Sequence, residues 1–191
     1  VVFVNAFGPY FDAKDLFYQI TSRSWIYGNQ TSPWNPDSLT LQVFANELIE
    51  TLEDSGNKDK LYSRHVKNEA ISDTNFKNLT YPENVVNRLV EGVTLDEAPK
   101  LYQSLPEHFR EDMNFISPSA HIDNLKAKTF ILHDRYDKLV PVSESYKLTE
   151  ALLDARFTEL LSFQHVRPDG GNFIYVLKDA INLFRHTYGI L

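Results

Sequence analysis

Two short apolar runs, KTFILHD (128–134) and FTELLSF (157–163), are separated by one helix-patterned segment and followed by another. Short runs of this length, centred on apolar residues and alternating with helix patterns, have the pattern of strands in a parallel sheet. Between them, Ser143 can cap a helix whose Leu148, Ala151, Leu152 and Ala155 form one face. After Gly170-Gly171, read as a hinge, Phe173, Val176, Leu177, Ala180, Ile181 and Phe184 fall at near-ideal helical spacing and predict the last helix. This alternation predicts parallel strands joined by right-handed crossovers, and therefore an α/β fold. VVFVN (1–5), ended by Gly8-Pro9, is a third such run and reads as a strand already under way. It has neither the basic start nor the long apolar stretch of a signal peptide.

The segment between the first strand and the other two has a different texture. Asp12 can cap a helix through about Ser22 with Leu16, Phe17 and Ile20 inward. Residues 23–38 carry Trp25, Tyr27, Trp34, Pro33 and Pro36 and read as a loop. An amphipathic helix then starts at Asp37 or Ser38, and its Leu41, Phe44, Ala45, Leu48, Ile49 and Leu52 form one stripe. Over 57–115 several short helices are expected. One has Pro82 near its start and Gly92 at its end, and another has Ser104 and Glu107 at capping-box spacing. The aromatic stretch from Phe7 to Trp34 serves either as core packing or as the lining of an acyl or aromatic pocket under a lid.

The formal net charge is −7 and no basic cluster offsets it, which argues against nucleic acid as a partner. No run approaches the about 18 apolar residues of a membrane span. Without cysteine there are no disulfides, thiolate nucleophiles or Cys-type zinc sites, and the compartment stays open. His121 and His133 lack the spacing of a metal pair, and Gly170-Gly171 lacks the lysine of a phosphate loop. No metal or cofactor is therefore expected.

The chemistry lies in two turns. HDRYDKLVP (133–141) places Asp137 just past one strand, and FQHV (163–166) places His165 just past the next. In open α/β sheets functional groups gather beyond the carboxyl ends of the strands. A serine hydroxyl attacks only when an imidazole takes its proton, and a carboxylate on the imidazole's other nitrogen fixes the tautomer. Asp137 has the position of the orienting acid and His165 that of the general base. The nucleophile turn, G-x-S-x-G, is absent: no two of the seven glycines stand four apart.

FISPSAHIDNLKAKTFILHDRYDKLVPVSESYKLTEAL (115–152) resembles the C-terminal segment of the α/β-hydrolase family, where a strand ends in H-G-x-x-D-x-x-V-P. The matching residues are His133, Asp137, Val140 and Pro141, and FQHVRP (163–168) resembles the family's histidine turn. Two positions depart from that pattern: Asp134 stands for the glycine, and Lys128 for a proline before the strand. The resemblance runs over about 115–187 and is weak over 1–114.

It implies a core strand and loop at 1–11, a largely helical cap or lid at 12–115, and the C-terminal hydrolase core at 116–191. It also implies Ser-His-Asp hydrolysis of a small-molecule ester, thioester or amide, with the nucleophile supplied by a first half not contained in the 191 residues. The chain alone is then expected to be inactive, and to pair with that half or with a second copy. The alternatives are a non-catalytic binding or scaffold protein on the same fold, and another chemistry such as dehalogenation by an aspartate nucleophile.

Overall fold

The computed structural model describes residues 2–162 and 173–190. Strands β1 (Phe3–Phe7), β4 (Lys128–Asp134) and β5 (Ala155–Leu160) form one sheet in the order β1-β4-β5. Both pairings are parallel, with Phe3 opposite Lys128 and Asp134 opposite Leu160. Strand β4 is central, and from Thr129 to Asp134 every residue is buried, as its apolar run predicts. Helices α7 (Val142–Ala151) and α8 (Phe173–Ile190) flank this sheet, so the molecule is α/β.

Six further helices lie between β1 and β4: α1 (Ala13–Ser22), α2 (Ser38–Glu50), α3 (Gly56–His65), α4 (Tyr81–Glu91), α5 (Ala98–Gln103) and α6 (Glu107–Phe115). Asp12 caps α1 through the amides of Lys14 and Asp15, and Asp37 caps α2 through that of Thr40. Thr80 and Glu83 form a capping box on α4, where Pro82 falls in the first turn and Gly92 ends the helix. The apolar stripes of these helices meet around Phe17, whose ring lies 5.1 Å from that of Phe44 and 5.0 Å from that of Tyr102. Leu48, Ile49, Leu61 and Leu89 are fully buried there. Each such side chain contributes about 2 kcal/mol of transfer free energy.

Several local expectations are corrected. Residues 24–33 are a β-hairpin rather than loop: β2 (Ser24–Tyr27) pairs antiparallel with β3 (Gln30–Pro33). Its two-residue loop begins at Gly28, with φ +55°, a conformation cheap only for glycine. Ser104 does not cap α6. It continues α5 in helical geometry, and Pro106 precedes α6 with no side-chain cap. Likewise Pro141, not Ser143, precedes α7, leaving Ser143 buried in the first turn. Leu152 is already extended and Ala155 belongs to β5, which ends at Leu160 rather than at residue 163. Asp134 is ordinary extended backbone, so the replaced glycine entails no left-handed geometry.

Helix α8 forms where the spacing predicts it, with its apolar stripe turned outward. Its polar face lies on the sheet: Asp179 Oδ2 accepts from the Leu161 amide (2.9 Å), the Ser162 amide (2.8 Å) and Ser162 Oγ (2.6 Å). His186 lies 2.9 Å from Thr158 Oγ1 and 3.0 Å from Asn5 Oδ1. The apolar residues Val176, Leu177, Ala180, Ile181 and Phe184 are exposed, with Phe184 at 71%. Among the described residues no strand pairs with the outer edge of β1, which carries no charge, proline or bulge to protect it. We expect the 191-residue chain to elute from size exclusion above monomer size. A concentration-independent monomer peak would contradict that.

Two histidines set the acid response. Burial pushes His186 below its ordinary value, helped by Arg156, and burial likewise lowers His65 against a hydrogen bond to Asn87. Both folded values lie below the unfolded one of about 6.5, so the stability they carry is complete above that value and is lost as pH falls below it and through the lower folded values. Glu83 is held low by Thr80, Asn57 and Ser55 against its own desolvation, and acts only below its unfolded value of 4.5. The melting temperature should therefore drop between about pH 7 and pH 5. His65→Gln/His186→Gln should flatten that slope.

Candidate active site

The loop after β4 is built by its own carboxylates. Asp134 Oδ1 accepts the Tyr136 amide at 2.7 Å, and the Arg135 amide donates to Leu160 O at 2.9 Å, tying the loop to the end of β5. Asp137 then turns inward and is 2% exposed. Its Oδ1 accepts the amides of Leu139 (2.6 Å) and Val140 (3.1 Å), an Asx-type turn that fixes the carboxylate's orientation. Its backbone carbonyl accepts the indole N–H of Trp34 at 2.9 Å.

His133, matched by resemblance alone, is also fully buried. Its Nε2 lies 3.0 Å from the Val140 carbonyl, which only accepts, so the proton sits on Nε2. Nδ1 then accepts from Ser145 Oγ at 2.6 Å. Asp137 Oδ2 is 3.5 Å from Nε2. His133 thus braces the loop from behind. His121 is elsewhere, with Nε2 donating to the Phe115 carbonyl at 2.7 Å.

Of the two residues expected to carry the chemistry, Asp137 is in place at the carboxyl end of the central strand. His165 lies outside the described residues, as does Gly170-Gly171. Strand β5, which leads toward His165, is the direct parallel neighbour of β4.

A buried polar network, not visible in the sequence, fixes the floor under this loop. Glu144, fully buried in the first turn of α7, accepts the amides of Phe11 and Asp12 through Oε2, both at 3.0 Å. Its Oε1 accepts Gln19 Nε2 at 2.7 Å and Lys147 Nζ at 2.8 Å. Burial alone would push the Lys147 ammonium down, but Glu144 and Asp15 hold it above its ordinary value. Gln19 Oε1 in turn accepts Ser143 Oγ and the Ile26 amide, carrying the network to the hairpin.

Two cavities open on either side of the loop. Leu139 borders a chamber of about 360 Å³ walled by Leu16, Phe17, Val43, Phe44, Phe109 and Met113, almost without polar surface. Tyr136 and Lys138 border a second of about 720 Å³ under the hairpin. In the stretch from Phe7 to Trp34, Phe17 and Ile20 belong to the core, whereas Trp25, Tyr27 and Trp34 line the second cavity. Among the described residues no helix is long and apolar enough to cross a membrane. Compared with known proteins, the chain matches no family model, no curated protein and no solved structure.

Proposed function

We propose that this chain is the C-terminal part of an α/β-hydrolase-type enzyme, supplying the acid and base turns of a Ser-His-Asp triad to a nucleophile carried elsewhere. The observation behind this reading is the fixed carboxylate of Asp137. It is buried, oriented by two backbone amides, and set beyond the central strand next to the strand that leads to His165. A carboxylate so held fixes an imidazole's tautomer and stabilises the imidazolium formed when serine is deprotonated. The apolar chamber beside Leu139 suits the acyl side of an ester, thioester or amide. The exposed stripe of α8 and the outer edge of β1, with which no strand pairs among the described residues, offer the surface on which a nucleophile-bearing half would dock.

The test is turnover of a chromogenic short-chain ester by protein that includes the nucleophile turn. Wild-type kcat/KM in both His165→Ala and Asp137→Asn would refute the reading. The 191-residue chain alone should show no serine labelling by a fluorophosphonate.

A further inference from the structure

We propose that the cleft between the β2–β3 hairpin and the 135–138 loop is a binding site for a planar aromatic anion. The proposal concerns binding alone and does not depend on the hydrolytic reading. The period of two along β2 puts Trp25 and Tyr27 on one face of the hairpin, with their cross-strand partners Ser32 and Gln30 beside them. All four line the cleft, and Trp34, Tyr136 and Tyr146 complete its aromatic wall. The Tyr27 and Tyr146 rings meet edge to face at 5.1 Å, and Tyr146 packs on Phe157 at 5.4 Å. The wall is held in place before any ligand arrives. The Trp34 amide donates to Arg23 O at 2.8 Å, its indole to Asp137 O at 2.9 Å, and the Ile26 amide to Gln19 at 2.9 Å. Preformed aromatic surface of this kind favours a flat ring system at little ordering cost. A volume of about 720 Å³ admits a fused pair of rings.

The charge at the rim supplies the second half of the specificity. The chain carries 26 acidic against 19 basic residues, yet among the described residues no acidic side chain lines this cleft. Tyr146 donates its hydroxyl to Glu159 at 2.5 Å and Tyr27 donates to Glu150, so these two acids are engaged by the phenols of the wall. Arg135 is paired with Glu159 at 2.5 Å. Lys138 also lines the cleft and makes no ion pair among the described residues, while Gln30 and Asn35 add amide donors. An aromatic carboxylate satisfies both features, with its ring against the indole and phenol faces and its charge at Lys138.

The two tryptophans of the chain both line this cleft, so the two indole N–H signals of ¹⁵N-labelled protein report its occupancy directly. Titration with naphthoate should shift them saturably. Naphthylmethanol, without the charge, and cyclohexanecarboxylate, without the flat ring, should each bind more weakly. Lys138→Ala, an exposed change, should weaken naphthoate about tenfold, the loss of one charge-assisted contact. Indole signals that do not respond to naphthoate would overturn the proposal. So would equal affinity for naphthylmethanol, which means an apolar patch only, or for cyclohexanecarboxylate, which means charge only.

Discussion

Asp137→Asn, in protein that includes the nucleophile turn, is expected to lower kcat/KM toward a chromogenic ester on the order of 10⁴-fold, the scale of losing the acid of such a triad. The fold should survive, because an asparagine carbonyl still accepts the amides of Leu139 and Val140. What is lost is the negative charge that stabilises the imidazolium and holds its proton on the correct nitrogen. His165→Ala should cost at least as much. The double variant should fall little below the worse single one, since triad members act as a unit. Losses that multiply would mean that the two residues act separately.

Glu144→Ala is expected to destabilise the chain by about 3–5 kcal/mol, the cost of breaking a buried charged network by removing one member. The substitution strips the acceptor from the Phe11 and Asp12 amides and from Gln19, and leaves Lys147 with Asp15 alone. These groups join the β1–α1 loop, α1 and α7, so the loss is felt where α7 leaves the Asp137 loop. Glu144→Gln keeps an acceptor and should cost less. The urea midpoint at constant m-value measures both, and a shift equivalent to under about 1 kcal/mol for the alanine variant would show the network to be ornamental.

The strands β1 and β4 were legible because continuous apolar runs have few other uses, and the helices α1, α2 and α4 because stripes and caps agreed. The hairpin was not legible: Pro33 and the Gly28-Asn29 order read as loop, the reverse of the common Asn-Gly turn. Helix α8 shows what periodicity omits. Its apolar stripe was plain, but the direction of that stripe depends on tertiary partners, and Asp179 and His186 find theirs on the sheet. Glu144 looked like an ordinary first-turn acid, and only packing reveals four donors around it. At the candidate site the position of Asp137 was readable from its motif. Its orientation by two amides, the bracing by His133 and the aromatic cleft beside it were set by contacts distant in sequence.

The central claim is that Asp137 holds the imidazole of His165, and it can be measured on the 191-residue chain itself by following the six histidines with ¹⁵N-labelled imidazole NMR. Loss of one signal in His165→Gln assigns His165. The account predicts a strongly downfield ring N–H proton for His165, because a carboxylate accepts it in a short charge-assisted hydrogen bond. In Asp137→Asn that proton should move upfield. A His165 ring N–H with the same shift in wild type and Asp137→Asn would contradict the account.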